Sequence, residues 1–107
     1  MTNWKKLVDR SESELQRGTL LRFPAGHPFE GNVVMMVCES PDKSGLGLIT
    51  ITGYKAGINC YVGFPKEAGT ATLSVEWIVN NWRLWVWPDG DVDHAEYRNA
   101  LEADEII

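Results

Sequence analysis

Apolar residues recur at two different periods along the chain, and the change of period falls inside a stretch that holds four of its five tryptophans. Val75, Ile78, Trp82 and Trp85 are spaced three, four and three apart, the interval that brings side chains onto one face of a helix. Ser74 precedes them with a hydroxyl that can accept from the free backbone donors of a first turn, and Glu76 follows where the helix dipole favours an acid. The pattern predicts a core-facing helix over about 74–82. From Trp82 the period shortens to two, with Trp82, Leu84 and Val86 on one side and Arg83, Trp85 and Trp87 on the other, until Pro88 stops regular pairing. The expectation is therefore a helix that gives way to a strand near Arg83.

Upstream, Trp4, Leu7 and Val8 start an amphipathic pattern, Ser11 and Glu14 have the spacing of a capping box, and Gly18 supplies a stop. These predict an N-terminal helical segment of three or four turns, or two short helices, ahead of the sheet. Strand patterns follow at 19–23, ended by Pro24, and at 32–39, an apolar run suited to a central strand buried on both faces. The turn at 40–45 and the alternation over 46–52 predict an antiparallel hairpin, and 58–64, ended by Pro65, a fourth strand. The segment 92–99 reads either as an edge strand or, with Ala100 and Leu101, as a last helix. Together these give an α+β fold, a mainly antiparallel sheet of four to six strands with the tryptophan-rich helix packed on it.

Length changes this picture little: 107 residues fit one domain over 1–107, with an acidic segment 89–107 whose end is expected to fray. Cys38 and Cys60 sit in apolar runs and read as small buried side chains, with a disulfide between them left open. The start of the chain carries no apolar stretch of secretory length, and the longest unbroken apolar run, 33–38, is too short to span a bilayer, so the expectation is a cytoplasmic protein without membrane contact. Charge is more telling. Up to Trp85 there are nine Lys or Arg against eight Asp or Glu, whereas from Val86 onward Arg98 alone faces seven acids. Such an end repels nucleic acid and attracts basic partners, or serves solubility alone.

No catalytic or cofactor signature emerges. His27 and His94 lack metal-ligand or nucleophile spacing to the cysteines. The run Asp89-Gly90-Asp91-Val92-Asp93 fails the calcium-loop pattern, because its glycine stands second rather than sixth. The glycines between Gly45 and Gly57 make no phosphate cradle, and stacking of the aromatics on nucleic acid would need a basic groove. Helical spacing assigns Trp82 and one of Trp77 or Trp85 to the core, and leaves Trp87, beside Pro88 and the acidic turn, as either an exposed hot spot or a lid on the core.

Three runs carry a family resemblance. Phe23-Pro24-Ala25-Gly26-His27-Pro28-Phe29-Glu30-Gly31, Gly53-Tyr54-Lys55-Ala56-Gly57, and Glu76-Trp77-Ile78-Val79-Asn80-Asn81-Trp82 with Trp85-Val86-Trp87-Pro88 resemble immunity protein family 45 of bacterial polymorphic-toxin and contact-dependent inhibition systems. The similarity spans about residues 7 to 98. It implies a small non-enzymatic protein, without cofactor or metal, that binds the C-terminal domain of a cognate toxin, often a nuclease, as a monomer forming a 1:1 heterodimer in the cytoplasm. It also implies structural roles for Gly53, Gly57, Trp77, Asn81 and Trp82. Toxin contacts are argued instead from charge and exposure, which select Trp87 as an apolar anchor with Asp89, Asp91, Asp93 and Glu96. The competing readings are a protein-binding adaptor without a toxin partner and a small enzyme with an unrecognised site.

Overall fold

Six strands pair edge to edge with every neighbour antiparallel. The computed structural model describes residues 4–9, 12–25, 31–41, 45–53, 55–58, 60–88 and 90–99. In chain order the strands are β1 (Lys5–Lys6), β2 (Glu14–Leu15), β3 (Leu20–Pro24), β4 (Asn32–Glu39), β5 (Leu46–Thr50), β6 (Cys60–Gly63), β7 (Leu73–Ser74) and β8 (Glu96–Arg98). The main sheet runs β1-β8-β3-β4-β5-β6, and β2 pairs with β7 in a separate two-stranded ribbon. Helices α1 (Val75–Asn80) and α2 (Trp82–Trp85) cover one face.

Alternation decides which face that is. Val33, Met35 and Val37 of β4 are buried with Leu21 and Phe23 of β3, Leu48 of β5 and Tyr97 of β8, and α1 presents Val75 and Ile78 to the same core. Val34, Met36 and Cys38, on the other side of β4, are only half-buried. The strand is central, as its apolar run suggests, but it is buried on one face. The helical layer lies on one side, so the opposite residues get no comparable cover among the described residues.

The N-terminal segment departs from expectation. Instead of three or four helical turns it holds β1, a single 3-10 turn at Leu7–Asp9 and β2. A helix there would have little to bury: between Glu12 and Arg17 only Leu15 is inside, and an isolated short helix does not repay its nucleation cost. The chain pairs instead, with Lys5 opposite Tyr97 and Leu15 opposite Leu73. Ser11 of the proposed capping box lies outside the described residues, and the Glu14 carboxylate accepts from the Thr72 hydroxyl. Two exposed lysines on β1 then form one edge of the sheet, a placement that discourages edge-to-edge association.

Over its described part, 92–99, the last segment forms neither an edge strand nor an α-helix, and Ala100 and Leu101 of the expected helix lie outside the described residues. A 3-10 turn at Val92–His94 leads into β8, which is inserted between β1 and β3. Tyr97 faces Leu21 on the core side, while Glu96 lies opposite Arg22 on the other.

The strand expected beyond Arg83 is also absent. Asn81 and Trp85 keep helical bonds, to Trp77 O at 3.0 Å and Asn81 O at 3.0 Å, and the Val86 N–H reaches Trp82 O at 2.7 Å. Ser74 caps the start as its sequence position suggests, its hydroxyl accepting from the Trp77 N–H at 3.2 Å. The helical period wins because it buries Trp82 and Val86, at 2% and 1% exposure, and sends Leu84 outward. Only around Asn81 does the helix break into two pieces, where the side-chain amide donates to Trp77 O at 2.9 Å and competes with the regular ladder. No helix among the described residues is long and apolar enough to cross a membrane.

Candidate functional site

The aromatic side chains divide into two groups. Trp82 meets Phe23 edge to face with centroids 5.0 Å apart, beneath the helices. Trp77 and Trp85, 5.7 Å apart, close around Phe64, and both are half-buried. Asn81 makes its side-chain bond to Trp77 O, while Gly53 and Gly57 both have positive φ, at 73° and 72°. Gly57 closes its loop by donating to Thr50 O at 2.8 Å, a bond that this left-handed backbone makes available. Gly53 and Gly57 lie exposed in their loop, whereas Asn81 and Trp82 line the groove that also carries Asp91 and Asp93.

Trp87 is half-buried against the core rather than standing free. The 87–90 turn holds it, with the Gly90 N–H reaching Trp87 O at 3.1 Å. A Cβ on Gly90 would come within 2.6 Å of the Trp87 ring and 3.2 Å of Trp82 Nε1, so the absent side chain lets this turn lie flat on both indoles. Trp82 Nε1 is buried without a hydrogen-bond partner among the described residues. Asp89 falls outside the described residues.

The remaining acids differ in how far they are engaged. Asp91 caps the 3-10 turn by accepting from the Asp93 N–H at 3.0 Å, and its other oxygen stands 3.7 Å from His94 Nδ1. Glu96 receives Arg22 Nε at 3.0 Å and Nη2 at 2.7 Å, and the same guanidinium lies 4.2 Å from the Trp4 ring centre. Glu96 therefore sits in an internal ion pair on the uncovered side of the sheet and does not extend the face carrying Asp91 and Asp93. Asp93 is exposed, and its carboxylate has no partner among the described residues.

Asp91 and Asp93 share a groove of about 500 Å³ with Val79, Asn80, Arg83 and Leu84. Leu84 is 81% exposed on α2. A period-two reading places it on the buried side with Trp82. The signal that identifies it is the helical period carried one turn further, which leaves position 84 off the stripe. A second groove, of about 370 Å³, carries three carboxylates, Glu12, Glu14 and Glu76, beside Ser13, Ser74 and Val75. Among the described residues neither serine hydroxyl of the second groove is hydrogen-bonded to one of its carboxylates, Ser74 instead accepting from the Trp77 N–H, and there is no group of three His, Cys, Asp or Glu arranged to hold a metal.

The family model for immunity protein 45 matches residues 7–96. The chain belongs to that family. No curated protein and no solved structure matches it. Membership in the immunity protein 45 family makes the chain an immunity protein and implies a toxin protein as its partner. The matched segment takes in the whole helical layer and both carboxylates of the Leu84 groove.

Proposed function

We propose that the chain protects its host cytoplasm by binding the C-terminal domain of a cognate toxin, a nuclease with a basic substrate-binding surface, and covering that surface in a 1:1 complex. Family membership carries the toxin-inhibitor reading. The finer reading rests on charge: seven of the fifteen acids follow Val86 with Arg98 as the only counter-charge, which favours rapid encounter with a basic protein. Occlusion needs no catalytic group on the inhibitor.

Within the acidic region the contact is assigned to the groove edge carrying Leu84, Asp91 and Asp93; Trp87 and Asp89 join it by their place in the sequence. An exposed leucine next to a carboxylate without a partner among the described residues supplies an apolar anchor inside a charged surround, the arrangement of an interaction hot spot. Glu96 is left out because Arg22 already neutralises it. The Glu12, Glu14 and Glu76 groove carries more negative charge, three carboxylates against two beside Arg83, but no exposed large apolar residue in its lining.

Co-expression with the cognate toxin domain tests this. Asp93→Lys combined with Asp91→Asn, which removes charge yet keeps an acceptor for the cap, is expected to leave circular dichroism unchanged and abolish growth rescue and co-purification. Full rescue by that double variant sinks the assigned face. Absence of any complex with the wild type sinks the toxin reading itself.

A further inference from the structure

Cys38 and Cys60 are reduced in the structure, and their sulfurs lie 4.0 Å apart. They do not come from neighbouring strands. Cys38 on β4 is opposite Gly47 of β5, and Cys60 on β6 is opposite Ile49 of the same strand, so a whole strand lies between them. Strands two places apart are separated by about 9–10 Å, whereas a disulfide needs Cα atoms about 4.4–6.8 Å apart. The thiols approach because nothing stands between them. A Cβ on Gly47 would sit 2.9 Å from Cys60 Sγ and 2.2 Å from Val62 O.

The separation suits a bridging ion instead. With metal–sulfur bonds of about 2.3 Å, two thiolates on one ion stand roughly 3.8 Å apart at a tetrahedral angle and roughly 4.6 Å apart on a straight line. The observed 4.0 Å falls between these limits. The described residues offer no third His, Cys, Asp or Glu for a higher-coordinate ion such as zinc. Met36, two residues before Cys38 on the same side of β4, brings only a further soft donor to that face.

We propose that Cys38 and Cys60 form a two-thiolate site for a soft monovalent ion, Cu(I), on the sheet face turned away from the helices. Two copper–sulfur bonds form, two S–H bonds lose their protons to solvent, and copper stays in the +1 state. The ion ties β4 to β6 across β5. Binding gives up the bonds from Cys60 Sγ to the carbonyls of Val62 at 3.1 Å and Leu48 at 3.4 Å. The site is independent of the toxin-binding reading.

The test titrates the full chain anaerobically with Cu(I) against a chromogenic Cu(I) chelator. One equivalent per chain is expected, with two protons released near neutral pH and a sulfur shell in X-ray absorption of the loaded protein. Cys38→Ser and Cys60→Ser, each shown to be folded by circular dichroism, are expected to lose stoichiometric binding. Retained binding in either folded variant, or a loaded wild type without a sulfur shell, overturns the assignment. Ready closure to an intramolecular disulfide by oxidised glutathione, without loss of the fold, would overturn the strand-spacing argument behind it.

Discussion

Glu96 and Arg22 face each other across β8 and β3, and the carboxylate takes two donors from one guanidinium, the shorter at 2.7 Å. Each side chain keeps about a third of its surface, at 38% and 33%, so solvent screens the pair and its contribution is limited to about 1 kcal/mol. Glu96→Gln is expected to lower stability by that amount in denaturant unfolding, by less at 1 M salt, and to leave toxin protection intact. Loss of protection in a folded variant would return Glu96 to the contact face.

Leu84 offers the converse case. With 81% of it exposed, Leu84→Ala has little packing to lose and should shift stability by no more than about 0.5 kcal/mol. If the side chain anchors the toxin, affinity falls by more than about 1 kcal/mol, measurable by calorimetry as at least a fivefold weaker Kd.

Tyr61 donates its hydroxyl to Val86 O at 2.6 Å and so ties edge strand β6 to the end of α2. Tyr61→Phe leaves that carbonyl without this donor and should cost about 1–2 kcal/mol. Burial raises the phenol above its ordinary value near 10. Because the folded pKa is the higher one, this contribution is complete below the unfolded value and disappears as pH rises through the folded value. Wild type and Tyr61→Phe should therefore converge in stability above pH 10, followed by urea unfolding across that range.

Trp82 has a buried N–H with no acceptor among the described residues, so removing that group forfeits no hydrogen bond to them. Trp82→Phe should cost about 1–2 kcal/mol through lost packing on Phe23, against roughly 3–5 kcal/mol for Trp82→Ala. Equal costs for the two variants, read from thermal unfolding, would show that the indole nitrogen contributes more than its packing.

The residues by themselves determined the sheet-forming runs, the hairpin of β4 and β5 and the Ser74 cap, because alternation, turn chemistry and a capping hydroxyl act over a few neighbours. The motif runs around Gly53 and Trp77 likewise determined the family. What sequence period did not decide was the state of segments whose local signals compete. Trp82, Leu84 and Val86 alternate as a strand would, yet the helix prevails, burying Trp82 against Phe23 and Val86 in the same core while Leu84 turns outward. Lys5 and Lys6 pair because β8 reaches them from the far end of the chain. The candidate site depends most on such long-range contacts. Arg22, 74 positions away, withdraws Glu96 from the acidic face, and the continued helix brings Leu84 out beside Asp93. Charge is written in the sequence, but which charges remain unpaired is settled by partners that only the folded chain brings within reach.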